Sequence, residues 1–545
     1  MIADITVTEK SFGPKSLMKN IKFSIDDGEK IGIIGRNGVG KSTLFGILAG
    51  SDTDFTGDII YKQGAVVIAT QQEYHGISDD LTVLQYVLQG LPEYAELSHI
   101  IETYPMTMGD DLRKINEYTD ALQRFDDKGF YQVEEQIERE FSTFQLPHIA
   151  HQPFITLSGG QKRLVDIVKV MHSQADLALV DEPTNHMDFV AKEQFIDWLG
   201  RAREAVLVIT HDRDVLREVD RIVELKDGGS QSYKGNYDAY LKQNATSTGS
   251  QMNEFEMIER RIVNLKEKVI SYQRFKEKSR NPGTIQRFKR LEESSRKELI
   301  ELQARAKPTF WIDKESVTDL NYKTAAQYEK FKARNVRINL KGDTSRSKHV
   351  LVSARNLSLG YDAALFENVN IDLREGEALE LRGRNGAGKT TLIKALLGST
   401  VVKRFDGELT IDPHVRYGVY EQEISPEYFE LTLEDAIEQL YLSRDLPIST
   451  TKIRSLMHDY LFDEGDGRIP LRVLSGGQKA RFQLICMLAN DPQLLILDEP
   501  TNHLDLPSIE ELETALGRYA GAIVYVSHDG YFRQKIQGAV VQLGS

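Results

Sequence analysis

Two glycine-rich loops, Gly35-Arg-Asn-Gly-Val-Gly-Lys41-Ser42-Thr43 and Gly383-Arg-Asn-Gly-Ala-Gly-Lys389-Thr390-Thr391, each end in a lysine and a hydroxyl. Glycines at such spacing let backbone N–H groups turn inward around phosphate oxygens, at the positive end of the helix that follows. The candidate cradles are Gly35, Asn37, Gly38, Gly40 and Thr43, and Gly383, Asn385, Gly386, Gly388 and Thr391. Lys41 and Lys389 are placed to reach β- and γ-phosphates, and Ser42 and Thr390 to ligate Mg²⁺. Downstream, two apolar runs end in paired acids, at Asp181-Glu182 and Asp498-Glu499. A buried strand exposes polar groups only at its end, so Asp181 and Asp498 can order Mg²⁺, while Glu182 and Glu499 can orient an attacking water or take its proton. His211 and His528 each lie 29 residues beyond the glutamate, after another β-rich run, which favours a γ-phosphate contact.

These features repeat with a telling spacing. Leu157-Ser158-Gly159-Gly160-Gln161 returns as Leu474-Ser475-Gly476-Gly477-Gln478 at an offset of 317, shared by Glu182 with Glu499 and His211 with His528. Lys41 and Lys389 are 348 apart, so the first copy holds about 31 extra residues between its phosphate loop and its signature. Pairing Leu81-Thr-Val83 with Leu431-Thr-Leu433 confines the surplus to about 91–129.

The elements that must position these residues follow from apolar periodicity. Strand, loop, helix is predicted around each glycine-rich loop. Leu112, Ile115, Leu122 and Phe125 in the inserted region, and Phe130, Val133, Ile137, Phe141 and Phe144 after it, predict two amphipathic helices meeting near Gly129. An enlarged helical subdomain without a partner reads equally well. Between the copies, stripes from Phe255 to Tyr272 and from Ile285 to Leu302, broken at Asn281-Pro282-Gly283, predict a helical hairpin of about 252–305. Its first arm, of about 29 residues, would reach about 43 Å. The segment from Pro308 to Val350 has no clean period and is expected to pack back on the repeated halves. The predicted domains are 1–241, a linker of 242–350, and 351–545.

Charge narrows the partner classes. The net charge is −14, which argues against a general nucleic-acid binder, yet residues 251–310 carry 15 Lys or Arg against 9 acids. Arg274, Lys276, Lys278, Arg280, Arg287, Lys289 and Arg290 gather near the turn beside one acid, Glu277. A solvated helical face is the usual meaning of a charge run, but their place at a projecting tip points to polyanion contact. A single cysteine, Cys486, sits in an apolar run and reads as a buried thiol in a reducing compartment. No secretory leader or apolar span of about 18 residues is seen, so a cytoplasmic protein with no membrane span is expected.

Taken together, the motifs resemble the ATP-binding cassette (ABC) superfamily over nearly all of both halves. The implied fold class is α/β: two tandem ABC-type nucleotide-binding domains, each a P-loop NTPase core with a helical subdomain, joined by a long helical-hairpin linker. In that family the signature of one cassette closes over ATP held by the other. The resemblance therefore implies one site from Lys41, Ser42, Gln72, Asp181, Glu182 and His211 with Ser475, Gly477 and Gln478. The other would join Lys389, Thr390, Gln422, Asp498, Glu499 and His528 to Ser158, Gly160 and Gln161. Gln72 and Gln422 would help hold Mg²⁺, and Phe12 and Tyr361 match the aromatic that stacks on adenine.

Asp-Glu-Pro-Thr-Asn-His, at 181–186 and 498–503, is similar to the F subfamily of soluble tandem cassettes with a charged helical linker. That resemblance implies an ATPase that binds the ribosomal E site as an ATP-closed monomer and points its linker towards P-site tRNA, 23S rRNA and the peptidyl-transferase centre. Release would follow hydrolysis, and the outcome would be modulated translation or protection from antibiotics. The insertion would be the family's arm, short beside the longest examples. Met187 replaces the usual Leu, a volume-conserving exchange. His211-Asp-Arg-Asp-Val215 and His528-Asp-Gly530 depart differently from the family's HDRYF run, so equal activity of the two sites does not follow. The alternatives are the energising subunit of a membrane transporter, which gives a basic hairpin of about 60 residues no obvious use, and a structural or DNA-associated cassette clamp.

Overall fold

The computed structural model describes all residues except 13–14, 72–77, 110, 186, 227, 304–310, 312, 314–315, 318–327, 329, 339, 341–348, 422–423 and 545, and the side chains of Phe12 and Lys15. Contacts divide it into two compact units, Met1–Tyr237 with Asn335–Ser545, and Asp238–Arg334.

In the first unit each cassette is built on a parallel sheet. The first sheet runs in the order Val67–Ala69, Leu177–Asp181, Ala205–Ile209, Lys30–Gly35, Arg221–Lys226, Gly229–Lys234, with only the last pair antiparallel. The second runs Tyr417–Tyr420, Leu494–Asp498, Ala522–Val526, Ala378–Arg382, Ala539–Gln542, and is parallel throughout. Central strands of such sheets are covered on both faces and so read as unbroken apolar runs. Leu177–Asp181 and Leu494–Asp498 are buried at every residue. Each sheet packs through its phosphate-loop helix, Lys41–Leu48 or Lys389–Leu396, against a three-stranded antiparallel sheet. The order puts the strand feeding the phosphate loop beside the strand feeding the switch histidine, with the strand bearing the two acids next.

In the inserted region Gly129 (φ 69°) joins helix Leu112–Asp127 to a short 3₁₀ turn and helix Val133–Thr143. An additional helix, Tyr94–Thr107, was not expected. Tyr94, Leu97, Ile101 and Tyr104 recur along it at helical spacing, and Pro105 sits in its last turn. Tyr94, Phe125 and Phe130 form an aromatic cluster with centroids 5.2–5.6 Å apart. Leu112, read as part of the apolar face, is instead 75% exposed.

The second unit holds helices Tyr237–Lys278 and Pro282–Gln303. The first is 42 residues long, about 63 Å, and begins well before the expected 252. Residues 242–250 are rich in Ser, Thr and Asn and read as linker, but Thr246 and Ser250 donate their hydroxyls to the carbonyls of Lys242 and Thr246, within the helix. Met252 packs with Tyr328 and Phe331. The end of the predicted linker belongs instead to the cassette unit: Val336 and Ile338 join the core of the second helical subdomain, and Asn335 Nδ2 donates to Pro507 O at 2.7 Å. Among the described residues no helix is long and apolar enough to cross a membrane.

Candidate ATP sites

Both phosphate loops are wound for anions. Gly38 (φ 82°) and Gly40 (φ 103°), with Gly386 (φ 81°) and Gly388 (φ 93°), occupy backbone conformations open mainly to glycine. A Cβ on Gly40 would come within 2.7 Å of Met18 Cε, and one on Gly388 within 2.7 Å of Phe366 Cδ1. Each lysine folds into its own loop, Lys41 Nζ donating to Gly35 O and Lys389 Nζ to Gly383 O, both at 2.8 Å. Burial lowers both lysine pKa values, opposed by Glu182 and Asp505 in one site and Glu499 and Asp188 in the other.

The acids end their strands in strained backbone. Glu182 (φ 44°) and Glu499 (φ 50°) are left-handed, a conformation that costs a non-glycine residue about 1–3 kcal/mol. Their N–H groups donate to Ile209 O (2.7 Å) and Val526 O (3.0 Å), pinning each glutamate to the strand before its histidine. His528 Nε2 lies 3.2 Å from Glu499 Oε1, and His528 N donates to Glu499 Oε2 at 3.2 Å. In the first site His211 Nε2 is 3.8 Å from Glu182 Oε1. Burial raises Glu182, reinforced by Asp181, and pushes Glu499 up to about 7. Burial and then Lys389 press His528 down to about 4, and His211 is lowered by the same kinds of influence, so both imidazoles are neutral at physiological pH. Thr390 Oγ1 donates to Asp498 Oδ2 at 3.2 Å, a hard-oxygen pair that suits Mg²⁺ with retained waters. Burial and then Glu499 raise Asp498 to about 6, as expected where a cation would relieve two crowded carboxylates.

Signature residues Ser158 and Ser475 cap helices Gly159–His172 and Gly476–Leu488. Each hydroxyl accepts from the N–H of Gln161 or Gln478 and each glutamine bonds back to the cap N–H, forming capping boxes. The cassettes meet head to tail. A cavity of about 1000 Å³ is lined by Gly160 and Gln161 from the first and by Tyr361, Asn385, Gly386, Gly388, Lys389, Thr390, Thr391, Asp498, Glu499 and His528 from the second. On the other side Asn37 touches the opposite signature so closely that a Cβ on Gly477 would fall 2.2 Å from its Nδ2. Asn37 Nδ2 also donates to His503 O at 2.8 Å. Gln72 and Gln422 lie outside the described residues. Phe12 ends strand Ala3–Phe12, and its side chain is likewise outside them.

Two aspartates escaped the sequence reading. Asp505 caps helix Leu506–Gly517 through Ser508 N and accepts from Asn37 N of the opposite phosphate loop at 3.1 Å. Asp188 caps Phe189–Arg201 and accepts from Asn385 N at 3.3 Å. The signal was present: both follow the quoted motif and share the 317 offset.

Of the hairpin cations, Arg274, Lys278, Arg280, Arg287, Lys289 and Arg290 are exposed. Lys276 differs, pairing with Glu292 at 2.8 Å, with Arg296 on the same carboxylate.

Comparison with known proteins agrees with this construction. The ABC transporter family model matches residues 18–185 and 366–502, and a second model, also described as ABC transporter, matches 223–311. The chain is 28% identical to ABC transporter F family member 5 of Arabidopsis thaliana, over 98% of this chain and 74% of the relative. It is 28% identical to the energy-dependent translational throttle protein EttA of Mycobacterium tuberculosis (96% and 88% covered). It is 26% identical to the ribosome protection protein VmlR of Bacillus subtilis (97% and 85% covered). With two ABC domains, the motifs of both and relatives of this kind, the chain belongs to the F subfamily of the ATP-binding cassette family and is an ATPase.

Proposed function

We propose that this ATPase binds the ribosome while its cassettes are closed on ATP, and leaves when hydrolysis opens them. Within each site Glu182 or Glu499 orients the attacking water and draws its proton, and neutral His211 or His528 senses the γ-phosphate. Mg²⁺, held by Ser42 and Asp181 or by Thr390 and Asp498 with Gln72 and Gln422, would neutralise phosphate charge. Tyr361, which lines the cavity, and Phe12 stack on adenine. Ser158, Gly160 and Gln161, and Ser475, Gly477 and Gln478, close over the triphosphate from the other cassette, so a monomer holds two composite sites.

The observation that carries the ribosomal reading is the basic hairpin turn, with six exposed cations in a chain of net charge −14. Such a surface takes RNA phosphates without reading sequence. The hairpin is assigned to P-site tRNA and 23S rRNA near the peptidyl-transferase centre, the body to the E site, and residues 91–129 to the family's arm. Relatives named for a translational throttle and for ribosome protection support it. The proposed domains are the cassettes 1–241 and 351–545 and the linker 242–350, whose stretch from Asn335 packs with the cassettes, in a cytoplasmic factor. In the decisive experiment, protein carrying Glu182→Gln and Glu499→Gln co-sediments with 70S ribosomes in ATP at moderate salt; failure to co-pellet refutes the reading. Expression in a sensitive host, with and without ribosome-directed antibiotics, then separates protection from translational control.

A further inference from the structure

Deep between the cassettes, Lys192 is 5% exposed and has its three N–H bonds matched by three acceptors. Its Nζ lies 2.8 Å from Asp212 Oδ2, 2.7 Å from Asp214 Oδ2 and 3.1 Å from the carbonyl O of His528. Asp212 directly follows His211, so one ammonium grips the chain next to the first switch histidine and the backbone of the second. Around it, Arg213 pairs with Glu513 at 2.9 Å and stands 4.9 Å from the Tyr531 ring. Gly530 is close enough that a Cβ there would lie 3.2 Å from Asp214 Oδ2.

The link is one-sided. Positions 317 residues beyond Lys192, Arg213 and Asp214 hold Ile509, Gly530 and Tyr531, so the second cassette cannot reciprocate. Burial, the largest influence on Lys192, works against its charge, but Asp212 and Asp214 outweigh it and raise its pKa. The ammonium therefore stays charged, and neither switch loop can shift without straining its bonds.

We infer that Lys192 is a positioning residue that sets His528 for hydrolysis in the second site and ties its placement to the state of the first. The inference rests on the proposed γ-phosphate role of the histidines and extends it from two sensors to a coupled pair. Its test reads the second site alone, in protein carrying Glu182→Gln. Lys192→Met lowers kcat about tenfold, as loss of a charge-assisted bond to the sensing group should, with KM for ATP within about twofold. Lys192→Arg recovers to within about threefold of the parent. Combined with His528→Ala, Lys192→Met causes no further loss, because a residue that acts through His528 has nothing left to position.

A parental kcat in Lys192→Met, or a loss undiminished in the His528→Ala background, overturns the inference. A parental kcat in His528→Ala alone would remove the sensor role on which it rests, a separate failure. Asp214→Asn, at a partly exposed side chain, supplies the same reading if Lys192→Met does not fold: kcat falls about threefold at constant KM, and no change counts against the coupling.

Discussion

The two cassettes repeat their chemistry and differ in what connects it. Glu182 and Glu499 share a strained backbone, a 317-residue offset and an anchor to the neighbouring strand. Behind them the signature helices diverge. In the first, Asp166 is fully buried and accepts from Gln71 N and from Tyr86 OH, with Lys169 Nζ 2.8 Å from its Oδ1. The matching positions of the second are Gln483 and Cys486, the latter a buried thiol that burial pushes up to about 12. A charged tie thus joins the first signature helix to Gln71, at positions where the second helix carries an uncharged amide and a thiol. The reacting groups recur at one sequence spacing on matching strands, while the connections around them differ between the copies.

The sharpest way to break this comparison is at the glutamates. Glu182→Gln with Glu499→Gln lowers steady-state phosphate release by at least about 100-fold, and each single variant leaves a different residual rate. Equal residual rates would make the asymmetry of the surroundings irrelevant to turnover. Next comes pH. In protein carrying Glu182→Gln, Glu499 must be ionised to act, so kcat/KM falls about tenfold per unit below its pKa of about 7 and levels off above it. A flat profile from pH 6 to 8 would remove Glu499 as the base. The same carboxyl links pH to stability. Its folded pKa exceeds the unfolded value of about 4.5, so the native state loses stability as pH rises from about 4.5 to about 7. Glu499→Gln therefore gains about 3 kcal/mol on the wild type at pH 8 compared with pH 4, measured by urea unfolding.

Asp166→Ala, which leaves Lys169 charged and buried, costs about 3 kcal/mol; Cys486→Ala, at a matching helix position, costs about 1 kcal/mol. Similar losses would mean that the two helices are held alike. The smallest effect lies at the hairpin. Arg274→Gln or Arg280→Gln each flattens the salt dependence of ribosome binding by about one unit of log–log slope, whereas Lys276→Gln changes it less, since Glu292 already takes that charge. Identical slopes would return all these cations to the role of a solvated face.

Much of this was legible because local demands write local patterns. Strands buried on both faces must be apolar, a phosphate cradle must be glycine-rich, and both were read from the chain. The illegible parts are of two kinds. Lys192, Arg213 and Glu513 matter through partners 300 or more residues away, and a lone lysine on a helix carries no mark of an acceptor in the other cassette. Helix Tyr94–Thr107 has its stripe in Tyr94, Leu97, Ile101 and Tyr104 but also holds Pro105, which reads as a breaker, and the first turns of Tyr237–Lys278 are rich in Ser, Thr and Asn, which read as linker. Asp188 and Asp505 fall between: the repeat displayed them, yet capping alone would have explained them.

The left-handed turn at Glu182 and Glu499 has a consequence for how such a chain changes over generations. Glycine or asparagine would sit there with less strain, so selection for heat tolerance without demand for turnover should drift to those residues first. The product would be a sturdier clamp that closes on nucleotide and does not reopen, one substitution per site away from the working enzyme.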